Sequence, residues 1–200
     1  MRDEPVSGAE SLEIIQNMIN KAKNQFSENG FMYLLWGWAI FTLSISQFVL
    51  KHFFQEPRHY LVWTLVWIVL IIQFIYIWKK RRAIRVKTYT EEILKYVWIC
   101  FVIVMFLLSF VLSKALGYEY DKLMNPILLV AYGIPTFLSG FILRFQPLVI
   151  GGIGCWALSI IATFLPYDFR ILTLSLAVVI AWIIPGYLLR AKYKRENTVS

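Results

Sequence analysis

His52, Glu56 and His59 come closest to a reactive centre in this chain, because two imidazoles and a carboxylate in one short loop could in principle hold a metal ion. Pro57 stiffens the same loop, and the favoured reading is a pair of exposed histidines near the lipid headgroups. No histidine follows His59, so a haem held between later spans would lack ligands at depth. Cys100 and Cys155 fall in separate apolar stretches and read as small packing residues, not as a disulfide framework. No nucleophile stands beside a base in the sequence. No catalytic residue, metal site or cofactor is therefore expected, and an enzyme is the least favoured class.

Backbone chemistry offers a second candidate. Ala131-Tyr-Gly-Ile-Pro135-Thr-Phe137 and Ala181-Trp-Ile-Ile-Pro185-Gly-Tyr187 share one pattern of alanine, aromatic, any residue, isoleucine, proline, small residue and aromatic. A proline inside a helix removes an N–H and frees the carbonyl four residues earlier, here those of Ala131 and Ala181. Such carbonyls can bind ions or substrate hydroxyls, as in broken transporter helices. Neighbouring Thr136, Ser139 or water can equally satisfy them, and the plain structural kink is the favoured reading.

The elements that carry these residues are membrane spans. Charge-free stretches at 29–50, 60–78, 96–113, 123–143, 145–167 and 171–189 hold 18 to 23 residues each. About 20 residues of helix cross a hydrocarbon core about 30 Å thick. The expected fold is all-α: a six-span polytopic membrane domain over 31–189, with spans at about 31–50, 60–78, 96–113, 124–143, 146–165 and 171–189. A cytoplasmic segment, 1–30, precedes it and a basic tail, 190–200, follows. The composition agrees, being 59% hydrophobic and 17% aromatic with only 16% charged. No continuous apolar run precedes the first span, so no cleavable signal peptide is expected. No span holds Asp, Glu, Lys, Arg or His, so a proton relay through a buried carboxylate lacks its agent.

Lysine and arginine set the orientation. With both termini inside, fifteen of the 20 basic residues face the cytoplasm, and Lys51, Arg58, Lys114, Lys122 and Arg170 face outward. The cluster Lys79, Lys80, Arg81, Arg82, Arg85 and Lys87 and the group Arg190, Lys192, Lys194 and Arg195 account for much of the +8 net charge. They read first as topology signals and second as contacts for anionic headgroups. Nucleic-acid binding is not expected, because no soluble segment offers a folded basic surface. Thr90 before Glu91 and Glu92 predicts a helix N-cap opening the third span.

Ser7-Gly8-Ala9-Glu10 fits a capping box and Asn29-Gly30 a stop, which predicts an amphipathic helix over about 8–28. Leu12, Ile15, Ile19, Ala22 and Phe26 form a heptad-like seam on its apolar face. The polar face is mostly Asn and Gln with two lysines, so charge does little to hold it on lipid. Three readings stand: the helix lies in the interface beside its bundle, docks on a protein partner or second copy, or moves as a gate. In the fifth span Gly151, Cys155, Ser159 and Thr163 recur every four residues and predict a close helix-packing face, with pore lining the less favoured reading.

The run Glu10-Ser-Leu-Glu-Ile-Ile-Gln-Asn-Met-Ile-Asn-Lys-Ala-Lys, continuing to Tyr33-Leu-Leu-Trp-Gly-Trp38, resembles a group of small six-span membrane proteins of Bacteroidetes that share an amphipathic helix and a Leu-Trp-Gly-Trp start to the first span. The resemblance implies a bacterial inner membrane and carries no activity with it. Glu91-Glu92 before a span is similar to the paired glutamates of intramembrane CAAX-type proteases, but that family needs later histidines, which are missing. Two functions follow as expectations. The first is a non-enzymatic regulatory or assembly component that meets a partner through 8–28 and 79–87. The alternative is a small transporter or channel for a neutral solute or lipid, with a pathway near Pro135 and Pro185 and a polar lining from Ser44, Gln47, Thr64, Gln73 and Tyr132.

Overall fold

The computed structural model describes residues 30–83, 89–117 and 120–198. Helix α1 is Phe31–His52, and a 3₁₀ segment, His59–Leu65, leads into α2, Val66–Ala83. Helix α3 is Tyr89–Leu116, α4 is Tyr120–Ile142 and α5 is Gln146–Phe164. The sixth span is composite: α6, Tyr167–Val178, passes through a π-helical turn, Val179–Ile183, into α7, Ile184–Thr198. No strand occurs among the described residues. Six helices are long and apolar enough to cross a membrane, so the chain is an all-helical, multi-pass membrane protein.

The bundle has a centre and a periphery. Helices α4 and α5 form a tight hairpin, α1 lies along the sixth span, and these four make the core. Helix α2 packs on α1, and α3 on α4, each leaving large apolar side chains such as Trp67, Phe74, Phe106 and Phe110 exposed, as suits lipid-facing helices. Contacts between distant segments fix the ends of the bundle. Gly30 packs on Gly186 and Leu189, and Lys192 lies near the Phe145 ring, whereas Lys51 meets Asp168 at the other end. Residues 30, 145 and 190 thus share one end and residues 51 and 168 the opposite one, as six alternating spans require.

Local sequence explains the joints. The α4–α5 hairpin closes through a Schellman arrangement: Phe145 N–H donates to Gly140 O at 2.8 Å and Arg144 N–H to Phe141 O at 3.1 Å. Arg144 takes the left-handed position, φ 48°, that such a stop demands, and Pro147 sits in the first turn of α5, where its missing N–H costs nothing. Gly30 also has a left-handed φ of 70°, and a Cβ there would strike the Gly186 carbonyl. Two expectations shift. Thr90 lies inside α3 and does not cap it, and the second span opens as a 3₁₀ turn before becoming α-helical.

The π turn is held by close approaches from two sides. A Cβ on Gly37 of α1 would stand 2.8 Å from Ile183 Cγ1, and one on Gly151 of α5 would stand 2.6 Å from Ala181 Cα. Two glycines on opposite helices therefore clamp Val179–Ile183 between them. Small residues at such crossings are the usual means of packing helices in lipid, where apolar burial alone gives little drive.

Candidate functional site

Among the described residues, a cavity is lined by side chains from α1, the 3₁₀ segment, the start of α2, α4 and α6. Helix α1 contributes Trp36, Ile40, Gln47 and Lys51, positions close enough to multiples of a helical turn to share a face. Tyr60, Trp63 and Val66 follow at intervals of three; the first two lie in the 3₁₀ segment, where side chains three apart eclipse one another, and Val66 is the residue at which that segment passes into α2. Helix α4 adds Met124, Asn125, Leu128 and Tyr132, and the start of the sixth span adds Tyr167, Asp168, Arg170, Ile171 and Leu174. The cavity measures about 440 Å³, within the range of small-molecule sites. It separates the 3₁₀–α2 limb from α4, while α1 and α6 form its back wall.

Gln47 holds the wall in place. Its Oε1 accepts from Trp63 Nε1 at 2.7 Å, and its Nε2 lies 3.1 Å from His59 Nδ1. Both bonds are met at once only with the amide in this orientation and His59 Nδ1 as acceptor. Deeper in the bundle, Trp36 Nε1 donates to Gln73 Oε1 at 2.7 Å and ties α1 to α2. Thr173 Oγ1 lies 3.4 Å from Asn125 Oδ1 but bonds Arg170 O more closely, at 2.6 Å. Aromatic and aliphatic side chains and a few amides form the interior. The charges stand at the mouth: Lys51 Nζ meets Asp168 Oδ1 at 2.8 Å and sits 3.4 Å from the Tyr167 ring centroid, while Arg170 Nε donates to Leu165 O at 3.0 Å.

The two proline-bearing patterns do come together, though through their side chains. Trp182 Nε1 donates to Thr136 Oγ1 at 3.0 Å, and the Tyr132 and Trp182 rings meet edge to face at 5.1 Å. Trp98 of α3 completes the cluster against Trp182 and Tyr33. Thr136 Oγ1 in turn donates to Tyr132 O, one residue beyond the carbonyl that Pro135 frees. Ser139 Oγ is fully buried and has no partner among the described residues. Before Pro185 the helix has already changed register, since Ile184 N–H bonds Val179 O, five residues back. Ala131, Pro135, Ala181 and Pro185 are all buried, and Ala131 and Pro135 also border a shallow apolar groove of about 360 Å³ between α3 and α4, with Cys100 and Phe101 opposite.

Of the polar lining expected from the sequence, Gln47 and Tyr132 line the cavity and Gln73 braces its wall through Trp36. Ser44 instead pairs with Ser175 at 2.7 Å inside the α1–α6 interface, and Thr64 is exposed and bonds Leu61 O. Gly151, Cys155 and Ser159 lie buried in the core, with Ser159 Oγ donating to Pro126 O at 2.8 Å. Thr163 is exposed and bonds back to Ser159 O, so the buried face continues through Ala162. His52 stacks on Phe48 while His59 turns to Gln47, and among the described residues no three His, Cys, Asp or Glu side chains gather as a metal site. Lys79 is exposed at the end of α2, and Lys80, Arg81 and Arg82 belong to that helix's last turn. Arg85 and Lys87, and the face Leu12, Ile15, Ile19, Ala22 and Phe26, lie outside the described residues.

Trp36, Trp63, Asn125, Lys51, Asp168 and Arg170 were not singled out as a site by sequence reasoning. The signal was the three-residue spacing of Tyr60, Trp63 and Val66, of which the first two eclipse one another in a 3₁₀ helix. Comparison with family models, curated proteins and solved structures finds no match to this chain.

Proposed function

We propose that this protein binds a small amphiphilic molecule of the bilayer in the cavity beside α1, as a carrier or sensor of a bacterial inner membrane with both termini in the cytoplasm. The observation that carries the reading is the cavity itself: about 440 Å³, walled by Trp36, Trp63 and Tyr132, with its charged residues confined to the mouth. A molecule with an apolar body and a polar head fits that division, because charge buried beside the rings would be costly and charge at the rim is not. Among the described residues helix α2 packs on α1 and meets α4 little, which leaves the space between α2 and α4 for a guest that arrives along the membrane.

The distribution of basic residues supports this orientation, and with it a mouth on the outer side. The regulatory or assembly role expected from the 8–28 helix is compatible with this reading, the helix then reporting occupancy to a partner. Native mass spectrometry of the protein extracted gently from its own membrane tests the proposal. One reproducible small molecule per chain, lost in the cavity-filling variant Leu128→Phe, is the expected result. A chain that carries no small molecule, or one unaffected by Leu128→Phe, overturns it.

A further inference from the structure

We infer that the guest's head is a flat, neutral ring bearing carbonyl oxygens, that of a membrane quinone, and that Tyr132 and Asn125 of α4 donate hydrogen bonds to it. The inference rests on the cavity reading above and adds the chemistry of the head. Both side chains line the cavity. They stand seven residues apart, two turns along one helix face, or about 10 Å along the axis.

The hydrogen-bonding capacity left in the wall decides the head. Trp36 Nε1 is spent on Gln73 Oε1 and Trp63 Nε1 on Gln47 Oε1, each at 2.7 Å, so the two indoles offer a guest their faces. The Gln47 amide is engaged at its other end by His59. Tyr132 differs. Its ring is held by Phe101 at 5.0 Å and Trp182 at 5.1 Å, yet its hydroxyl makes no hydrogen bond to a described residue. Among described side chains without a partner only Ser139 Oγ is sealed in protein, so the Tyr132 hydroxyl is open to the cavity that the residue lines. Asn125 has capacity too. Its Oδ1 lies 3.4 Å from Thr173 Oγ1, which donates to Arg170 O at 2.6 Å. Whichever way the amide is turned, at least one Asn125 N–H is left to give. An unpaired donor among apolar groups is costly, and a guest's acceptor recovers that cost. A quinone carries carbonyl oxygens at opposite ends of a flat ring, and a hydrogen bond of about 3 Å at each end bridges donors two turns apart. The ring also suits the indole and phenol faces, and its apolar tail leaves between α2 and α4. An ester lipid brings carbonyls on flexible arms, which cost more entropy to order.

The test places the full chain in phosphatidylcholine nanodiscs loaded with decylubiquinone or, separately, with dioleoylglycerol, transfers it to detergent, and titrates retention by native mass spectrometry. The wild type is expected to retain one decylubiquinone per chain and to prefer it to dioleoylglycerol by at least several-fold. Tyr132→Phe and Asn125→Leu should each weaken decylubiquinone binding by roughly three- to tenfold, the worth of one hydrogen bond. Without ligand, Tyr132→Phe should melt with the wild type, since the lost hydroxyl bonds no described residue; a lower melting temperature would make the hydroxyl structural and overturn its role toward the guest. Decylubiquinone held equally by the wild type and both variants overturns the carbonyl-bearing head while leaving the cavity reading intact. Dioleoylglycerol held as well as the quinone would make the guest an ester lipid and also overturns the proposal. Retention that Leu128→Phe does not reduce overturns the cavity reading itself.

Discussion

Trp182 Nε1 donates to Thr136 Oγ1 at 3.0 Å across two parallel spans, each interrupted by a proline three residues beyond its aromatic, Pro185 after Trp182 and Pro135 after Tyr132. The pair is buried, with Trp182 4% and Thr136 0% exposed. Thr136→Val keeps the side chain's shape and removes the acceptor, so an indole N–H is left without a partner at depth. The expected loss is about 1–3 kcal/mol, read as a lower melting temperature in detergent. Thr136→Ser keeps the hydroxyl and should lose much less. Equal losses would show that the bond is immaterial and the methyl group is what matters.

The glycine clamp gives a contrast in sign. Gly37 stands where a Cβ would crowd Ile183 Cγ1 at 2.8 Å and Trp182 Cβ at 3.3 Å, whereas a Cβ on Gly154 would meet only Ile180 Cγ2, at an ordinary 3.4 Å. Gly37→Val should therefore overpack the α1–π contact and cost about 1–3 kcal/mol. Gly154→Ala should be neutral or stabilise by up to about 1 kcal/mol, since alanine is the better helix former. Thermal melts of the two variants side by side decide the matter, and a tolerated Gly37→Val would mean that α1 is free to move from the sixth span.

Gln47 should control the order of the cavity wall. Gln47→Leu deprives Trp63 Nε1 of its 2.7 Å acceptor and His59 Nδ1 of its 3.1 Å donor together. Backbone amides of 59–65 are then expected to exchange with deuterium at least several-fold faster, because a 3₁₀ segment has little intrinsic stability. Gln47→Glu keeps an acceptor for Trp63 and should fall between the two. Exchange that is unchanged in Gln47→Leu would assign the order of this limb to lipid contact.

The spans were legible because charge is excluded from them so completely that length alone locates each. Even so, the boundaries were not, since Thr90 and its acidic neighbours gave a capping signal that the helix overrides, starting before Thr90. The repeated proline pattern could be read as sequence, but its meaning could not: nothing in the order of residues says that Trp182 reaches Thr136, a relation between spans set by how they pack. The cavity was hidden for a different reason. Trp36, Trp63 and Lys51 are each ordinary for a membrane protein, near interfaces or on a helix face, and they line one cavity only when the 3₁₀ segment aligns Tyr60 and Trp63 and leads on to Val66. The Trp36-Gly37-Trp38 run shows both sides of this. Its residues stood out, yet their separate tasks emerge only from packing: Trp36 toward Gln73 and the cavity, Gly37 against the π turn, and Trp38 toward Tyr187.

The two prolines should behave differently when replaced. Pro135 interrupts a helix that stays α-helical on both sides, so Pro135→Ala restores the bond to Ala131 O without moving any core side chain, and the melting temperature should rise. Pro185 follows a turn in which Ile184 N–H already reaches back five residues to Val179 O. An N–H supplied by Pro185→Ala would favour ordinary α-helical register across 179–184, and removing the extra residue of a π turn rotates everything on one side of it by about 100°. Trp182 would then leave Thr136, and Ala181 would leave the notch made by Gly151. Pro185→Ala is accordingly expected to lower the melting temperature, and the double variant Pro185→Ala with Thr136→Val should be no worse than Pro185→Ala alone, since the bond it removes is already lost. Additive losses in that double variant would mean that the π turn holds its register without the proline.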